Sequence, residues 1–259
     1  MRKLLVLVLA TLVLCGSCST ERPARILFVG NSLTYVGNLP AVFSALARAN
    51  GHVVDSYMVV SPGGRLSERV ADGSVGPALR QCDCSILIMQ ERGGDLFGGF
   101  GDDAMAASKH ALARLTDTGR GAGASVVLLG TYNSPAVTHE LVTMERAAAQ
   151  EAGIPYVAVA EQFWHMRKVD GALPWMSSDR MHPGKALTLL QAILLYKQLY
   201  DSYPQAKAFV VDAPIYGSHS GLTPVLRQAG AQAPNPDTVQ GVSYAADEVQ
   251  KLLPKERAP

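Results

Sequence analysis

The sequence predicts a three-layer α/β/α sandwich of flavodoxin-like type around a central parallel sheet of five strands. Three observations carry this expectation. Five short, β-branched and nearly continuous apolar runs, at residues 25–30, 53–60, 85–90, 124–130 and 155–160, have the length and composition of strands buried on both faces. Longer helix-compatible stretches separate them, and such alternation implies right-handed crossovers with helices on both faces of the sheet. The 259-residue length suits one large α/β domain, and 48% hydrophobic with 17% charged residues excludes wholesale disorder, collagen and a coiled coil.

Arg2 and Lys3 precede an apolar run over residues 4–14, broken by Thr11 and followed by Cys15, Gly16, Ser17 and Cys18. A membrane-spanning helix takes about 20 apolar residues, so this run reads as an export signal ending in the small residues a signal peptidase needs. Gly16 and Ser17 ahead of Cys18 also resemble a bacterial lipobox, with Cys15 standing where leucine is usual. Cys18 would then be lipidated, tethering the protein to a membrane without spanning it; a freely secreted protein is the alternative. The expected organisation is a signal peptide over 1–18, a polar tether over 19–24, the sandwich over 25–203, and a C-terminal extension over 204–259 packed on the same domain. The location expected is a bacterial cell envelope, in the periplasm or as an outer-membrane lipoprotein, otherwise secreted.

In chain order, helix-compatible stretches at 39–50, 66–79, 102–118 and 136–152 link the five strands, and a long helix over 185–200 places Leu187, Leu190, Ile193, Leu194 and Tyr196 on apolar positions. Past residue 203 the pattern breaks into proline- and glycine-punctuated pieces, with a closing helix expected over 244–253 capped by Ser243. Cys82 and Cys84, two residues apart at the start of a predicted strand, would point to one face and remain two buried thiols. With 23 basic and 22 acidic residues the chain carries a net charge of +1, and −1 once Arg2 and Lys3 are removed. No global charge signals nucleic acid, so partners must be recognised locally.

Ligands of such sheets bind beyond the carboxyl ends of the strands. Those ends carry Asn31 and Ser32, the segment 62–65, the segment 91–95, and the segment 131–133. Ser32 sits at a strand-to-helix turn, where its hydroxyl is placed as a nucleophile, although Asn31 or Ser32 could equally be a helix cap. Asp179 lies three residues before His182, a spacing that lets the carboxylate accept the imidazole Nδ1–H and leaves Nε2 free to take a serine proton; an exposed Asp-His pair is the plain alternative. No third ligand with zinc-like spacing accompanies them, so neither metal nor cofactor is expected. Gly63, Gly64 and the Gln90 amide could donate to an oxyanion, or could serve a turn and the backbone.

Ser32 in a Gly-x-Ser-Leu setting, a glycine after the second strand, an amide after the third and a late Asp-x-x-His together resemble the SGNH (GDSL-type) hydrolases over residues 25–200. The resemblance implies Ser32 as nucleophile, His182 as general base, Asp179 as its orienting carboxylate, and an oxyanion hole of the Ser32 and Gly64 N–H groups with the Gln90 amide. Asn31 stands where the family commonly has aspartate. Met89-Gln90-Glu91-Arg92 replaces the usual Gly-x-Asn-Asp block and is similar to a Gln-Glu branch that includes carbohydrate acetylesterases. Asn31, Gly63, Arg65, Glu91 and Asn133 are further candidates for substrate binding, with Asn133 a substitute oxyanion donor. Arg92 and Asp95 could shape polar recognition, and Trp164, Trp175 and His165 could line a sugar or acyl pocket, although such aromatics commonly pack in a core.

The activity this implies is hydrolysis of O-acyl esters, acetyl or short-chain, on a polysaccharide or small molecule through an acyl-serine intermediate. An O-acyltransferase, or a lipid esterase or thioesterase, would use the same site. A non-catalytic glycan-binding surface lipoprotein is the expectation from a different class.

Overall fold

A computed structural model describes residues 23–235 and 237–254. The signal peptide, Cys15, Cys18 and most of the tether lie outside the described residues. In chain order the elements are β1 (Ala24–Gly30), α1 (Ser32–Tyr35), α2 (Leu39–Ala49), β2 (Val54–Val60), α3 (Leu66–Asp72), α4 (Val75–Cys82), β3 (Ile86–Met89), α5 (Asp102–Gly121), β4 (Ser125–Leu129), α6 (Thr138–Glu151), β5 (Tyr156–Val157), α7 (Ala160–Val169), α8 (Lys185–Tyr200), β6 (Phe209–Tyr216), β7 (Arg227–Gln228), β8 (Thr238–Tyr244) and α9 (Ala246–Leu252).

The fold is the α/β/α sandwich. Its sheet runs β5-β4-β3-β1-β2-β7, with β1 parallel to both neighbours in register Val29 to Val59 and Val29 to Met89. Strand periodicity of two explains the continuous apolar runs: Ile26 and Phe28 pack with α2 and α8, while Leu27 and Val29 pack with α3, α4 and α5 on the opposite face. All four are fully buried.

The sheet has six strands where the sequence predicts five. The sixth, β7, pairs antiparallel with β2 and comes from the C-terminal segment; at two residues it is too short to show a period. The stretch read as one helix over 66–79 is two, because Gly73 takes a left-handed φ of 63° and closes α3. The fifth apolar run yields a strand of two residues, and α7 begins within it at Ala160. Ser243 is not a helix cap: it pairs with Val210 inside the β6–β8 ribbon, and at the start of α9 the Glu248 carboxylate accepts the Ala245 N–H at 2.8 Å.

Cys82 and Cys84 form a disulfide, against the expectation of two free thiols. Cys82 is the last residue of α4 rather than part of a strand, and Asp83 turns left-handed with φ 52°. That reversal puts the two Cα atoms 5.1 Å apart, inside the span of a disulfide.

The C-terminal segment joins the main core. Phe209, Val211, Tyr216, Tyr244, Val249 and Leu252 are buried in the cluster built on α2 and α8. Asn38, fully buried, donates through Nδ2 to the carbonyls of Pro214 (2.6 Å) and Ala229 (2.9 Å), clamping this segment to the start of α2.

Candidate active site

Ser32 is placed by the turn that ends β1. Gly30 lies 3.1 Å from the Gln90 carbonyl when measured from where a Cβ would stand, and closer still to the Thr34 hydroxyl, so a side chain has no room there. Asn31 caps α1: its Oδ1 accepts the Leu33 N–H at 3.0 Å and its Nδ2 donates to the Gln90 carbonyl at 3.4 Å. The capping alternative therefore holds for Asn31 and frees Ser32. Ser32 opens α1, half-buried, with its N–H at the helix position that has no intrahelical acceptor.

The second component is the loop before α8. His182 Nδ1 lies 2.6 Å from Asp179 Oδ2, while Asp179 Oδ1 accepts the Ser177 hydroxyl (2.6 Å) and the N–H groups of Met181 (2.9 Å) and His182 (3.0 Å). Partial burial pushes the Asp179 carboxyl up, but these hydrogen bonds, led by Ser177 and His182, outweigh it and hold the group well below the usual carboxylate range. An ionised Asp179 takes the Nδ1–H and leaves Nε2 as the basic atom. The loop is closed by a Met176–Pro183 bridge and tied to the end of β4 by the Tyr132 hydroxyl, which donates to the Met181 carbonyl at 3.1 Å. Burial, then the charge of Asp179, pushes the Tyr132 phenol far up, so it stays a donor.

Ser32 and His182 open onto one cleft of about 540 Å³ at the carboxyl edge of the sheet, a volume usual for small-molecule sites. Asn31, Gly63, Asn133, Arg92 and Trp164 line it too, as do Gly93, Phe100, Tyr132, Arg167, Met176 and Arg180. A separate cavity of about 760 Å³ between α7 and α9, which His165 lines, holds no serine or threonine among the described residues. Trp175 is core: it is 2% exposed and its indole N–H donates to the Asp170 carbonyl.

Five further predicted residues lie elsewhere. Gln90 is buried, its Oε1 accepting the Thr34 hydroxyl at 2.7 Å and its Nε2 donating one N–H to the Gly130 carbonyl at 3.2 Å, and it ties the sheet together without lining the cleft. The Gly64 N–H is bonded to the Ser61 carbonyl at 3.1 Å, and it is Gly63, with φ 61°, that borders the cleft. Glu91 is fully buried and accepts the N–H groups of Leu66 (3.1 Å) and Arg92 (2.8 Å), fixing the start of α3; burial raises its carboxyl. Arg65 stands at the N-cap of that helix, where the Glu68 carboxylate accepts its backbone N–H at 3.4 Å and pairs with its guanidinium at 3.2 Å. Asp95, fully buried, holds Arg92 in a two-point pair at 2.9 Å for each bond, and Arg92 lies 3.8 Å over the Phe100 ring.

Beside the arginines and His182, the cleft is lined by the backbone of Ser32 and Gly63 and by the side chain of Asn133 as neutral donors. Asn133 Oδ1 accepts the Ser134 N–H at 2.7 Å, leaving Nδ2 available, and its own carbonyl accepts the Trp164 indole at 3.0 Å. Tyr132, Phe100, Arg167 and Arg180 were not singled out from the sequence, though Tyr132 falls in a strand-end segment that was and Arg180 lies between Asp179 and His182. Among the described residues, no three His, Cys, Asp or Glu side chains are grouped to hold a metal ion.

No protein-family model and no curated protein matches the chain. Solved structures do. A protein assigned as an SGNH hydrolase, from Slackia heliotrinireducens, superposes with a TM-score of 0.53 at 22% identity, covering 68% of this chain and 99% of its own. The psychrotrophic esterase EstA from Pseudoalteromonas sp. gives 0.53 at 15% identity, with 68% and 97% covered. A carbohydrate esterase of family 3 from Talaromyces cellulolyticus gives 0.52 at 12% identity, with 69% and 97% covered.

Proposed function

The chain has the fold of the SGNH hydrolases, and from that premise we propose that it is a serine esterase acting on O-acyl groups of carbohydrate. The observation that carries this reading is the convergence of Ser32 and the Asp179-oriented His182 on one cleft at the carboxyl edge of the sheet.

His182 Nε2 takes the proton of the Ser32 hydroxyl as Ser32 Oγ attacks the ester carbonyl. The protonated imidazole then gives that proton to the departing alcohol, and water, activated in turn by His182, releases the acid from the acyl-serine. Asp179 stays ionised and steadies the imidazolium. The oxyanion meets the Ser32 N–H, with the Gly63 N–H and Asn133 Nδ2 as the remaining donors. The flat faces of Trp164 and Phe100 suit sugar rings, and a carbohydrate esterase is among the proteins sharing the fold.

Ser32→Ala should lower kcat for 4-nitrophenyl acetate by about 10⁵–10⁶ and abolish labelling by an organophosphonate, with the circular dichroism spectrum unchanged. Labelling that persists at another serine would overturn the assignment.

Export to a bacterial cell envelope, with Cys18 as lipid anchor, belongs to the same proposal. Its support is the layout of residues 1–18 together with the Cys82–Cys84 disulfide, which suits an oxidising compartment. No helix among the described residues is long and apolar enough to cross a membrane.

A further inference from the structure

Hydrolysing a neutral ester leaves the charge of the cleft unexplained. Arg92, Arg167 and Arg180 line it, and among the described residues no aspartate or glutamate does. Arg92 is matched by buried Asp95, and His182 by Asp179. Arg167 and Arg180 meet no carboxylate oxygen within 4.0 Å among the described residues.

Arg167 is held by its aromatic neighbours, while Arg180 stands exposed on the wall of the cleft. Arg167 is half-buried, and its guanidinium lies 5.0 Å from the Trp164 ring and 5.7 Å from the Phe163 ring. Stacking of this kind limits the plane of the guanidinium while leaving its N–H edge free for a two-point contact. Arg180 occupies the turn between Asp179 and His182 with a left-handed φ of 59°, its N–H bonded to the Ser177 carbonyl at 3.0 Å. Glycine would serve that turn without strain, so an arginine there carries a cost the fold does not require. The turn sets its side chain on the wall of the cleft beside the proposed base.

We propose that Arg167 and Arg180 form a carboxylate-binding subsite, and that the substrate is an O-acylated acidic sugar whose carboxylate they hold while Ser32 attacks the ester. Guanidinium groups bind planar carboxylates through paired, charge-assisted hydrogen bonds. This inference rests on the esterase reading of the same cleft and narrows its substrate to a carboxylate-bearing carbohydrate.

The test compares kcat/KM for two acetylated sugars that differ at one carbon, a methyl glucuronide and a methyl glucoside, beside 4-nitrophenyl acetate. The native enzyme should favour the uronide by about 100-fold, and Arg167→Gln and Arg180→Gln should each reduce that ratio about tenfold. Added salt should narrow it. Arg114→Gln, on the exposed face of α5, should leave it unchanged. Turnover of 4-nitrophenyl acetate with equal use of the two sugars overturns the subsite and leaves the esterase reading standing. Equal losses on both sugars in the arginine variants place these groups on the oxyanion and overturn it as well. Turnover of none of the three esters removes both readings.

Discussion

Asp179 engages four donors with one carboxylate, and the division of labour between its oxygens decides what a substitution does. Oδ1 holds the turn through Ser177, Met181 and His182, while Oδ2 faces the imidazole alone. Asn at 179 can keep the Oδ1 contacts, but it presents N–H₂ to Nδ1, which must then become an acceptor and move the ring proton to Nε2. Asp179→Asn should therefore stay folded and lose about 10³–10⁴ in kcat, measured with Ser32→Ala as the floor. Because the native carboxyl is held below its ordinary range, what it contributes to stability is present above that range and is lost as pH falls through its depressed folded value. The pairing of Asp179 with His182, and the place of Ser32 at the sheet edge, were legible because each sits in a turn whose geometry is written by its near neighbours. Gln90 and Gly64 were not, because whether an amide or N–H is free depends on Thr34, Gly130 and Ser61, whose approach only the folded chain reveals.

Between β4 and α6 the fold buries a carboxylate with no basic partner among the described residues. Glu145 accepts the Thr131 N–H at 3.0 Å, the Thr131 hydroxyl at 2.6 Å and the Tyr156 hydroxyl at 2.8 Å, and so pins the strand end that carries Tyr132 and Asn133 to the cleft. Burial, only partly offset by the Thr131 and Tyr156 hydrogen bonds, pushes it from 4.5 up to about 7. The folded chain thus holds this proton more tightly than the unfolded one. The stabilisation is complete below the unfolded value and is lost as pH rises through about 7, a swing of about 3 kcal/mol at most. The melting temperature should fall between about pH 5 and about pH 8 in the native protein and fall less in Glu145→Gln, whose amide oxygen can still accept from Thr131. Equal slopes in the two proteins would show that Glu145 does not titrate there. The strands that frame this element were visible as apolar runs. Glu145 itself looked like one more polar residue of an amphipathic helix, since burial of a single position leaves no mark on periodicity.

At the scale of the whole molecule, the sandwich was predictable from alternation, while the C-terminal segment was not. Its strands pair with each other across a bulge between Val211 and Pro214, and β7 adds to the sheet far from its neighbours in sequence. The proposed anchor at Cys18 also belongs to this scale. Cys18→Ser should move the protein from the membrane to the soluble fraction without changing kcat on a soluble ester, followed by fractionation and activity in parallel. Persistence of the variant in the membrane fraction would count against lipidation at that residue.

The direction of β1 sets the cleft apart from the point where the chain enters the sheet. Ala24 begins the strand and Ser32 follows its far end, so seven residues of extended chain, about 23 Å, separate the edge nearest the anchor from the cleft. The cleft thus opens at the end of β1 opposite to the one where the chain enters the sheet.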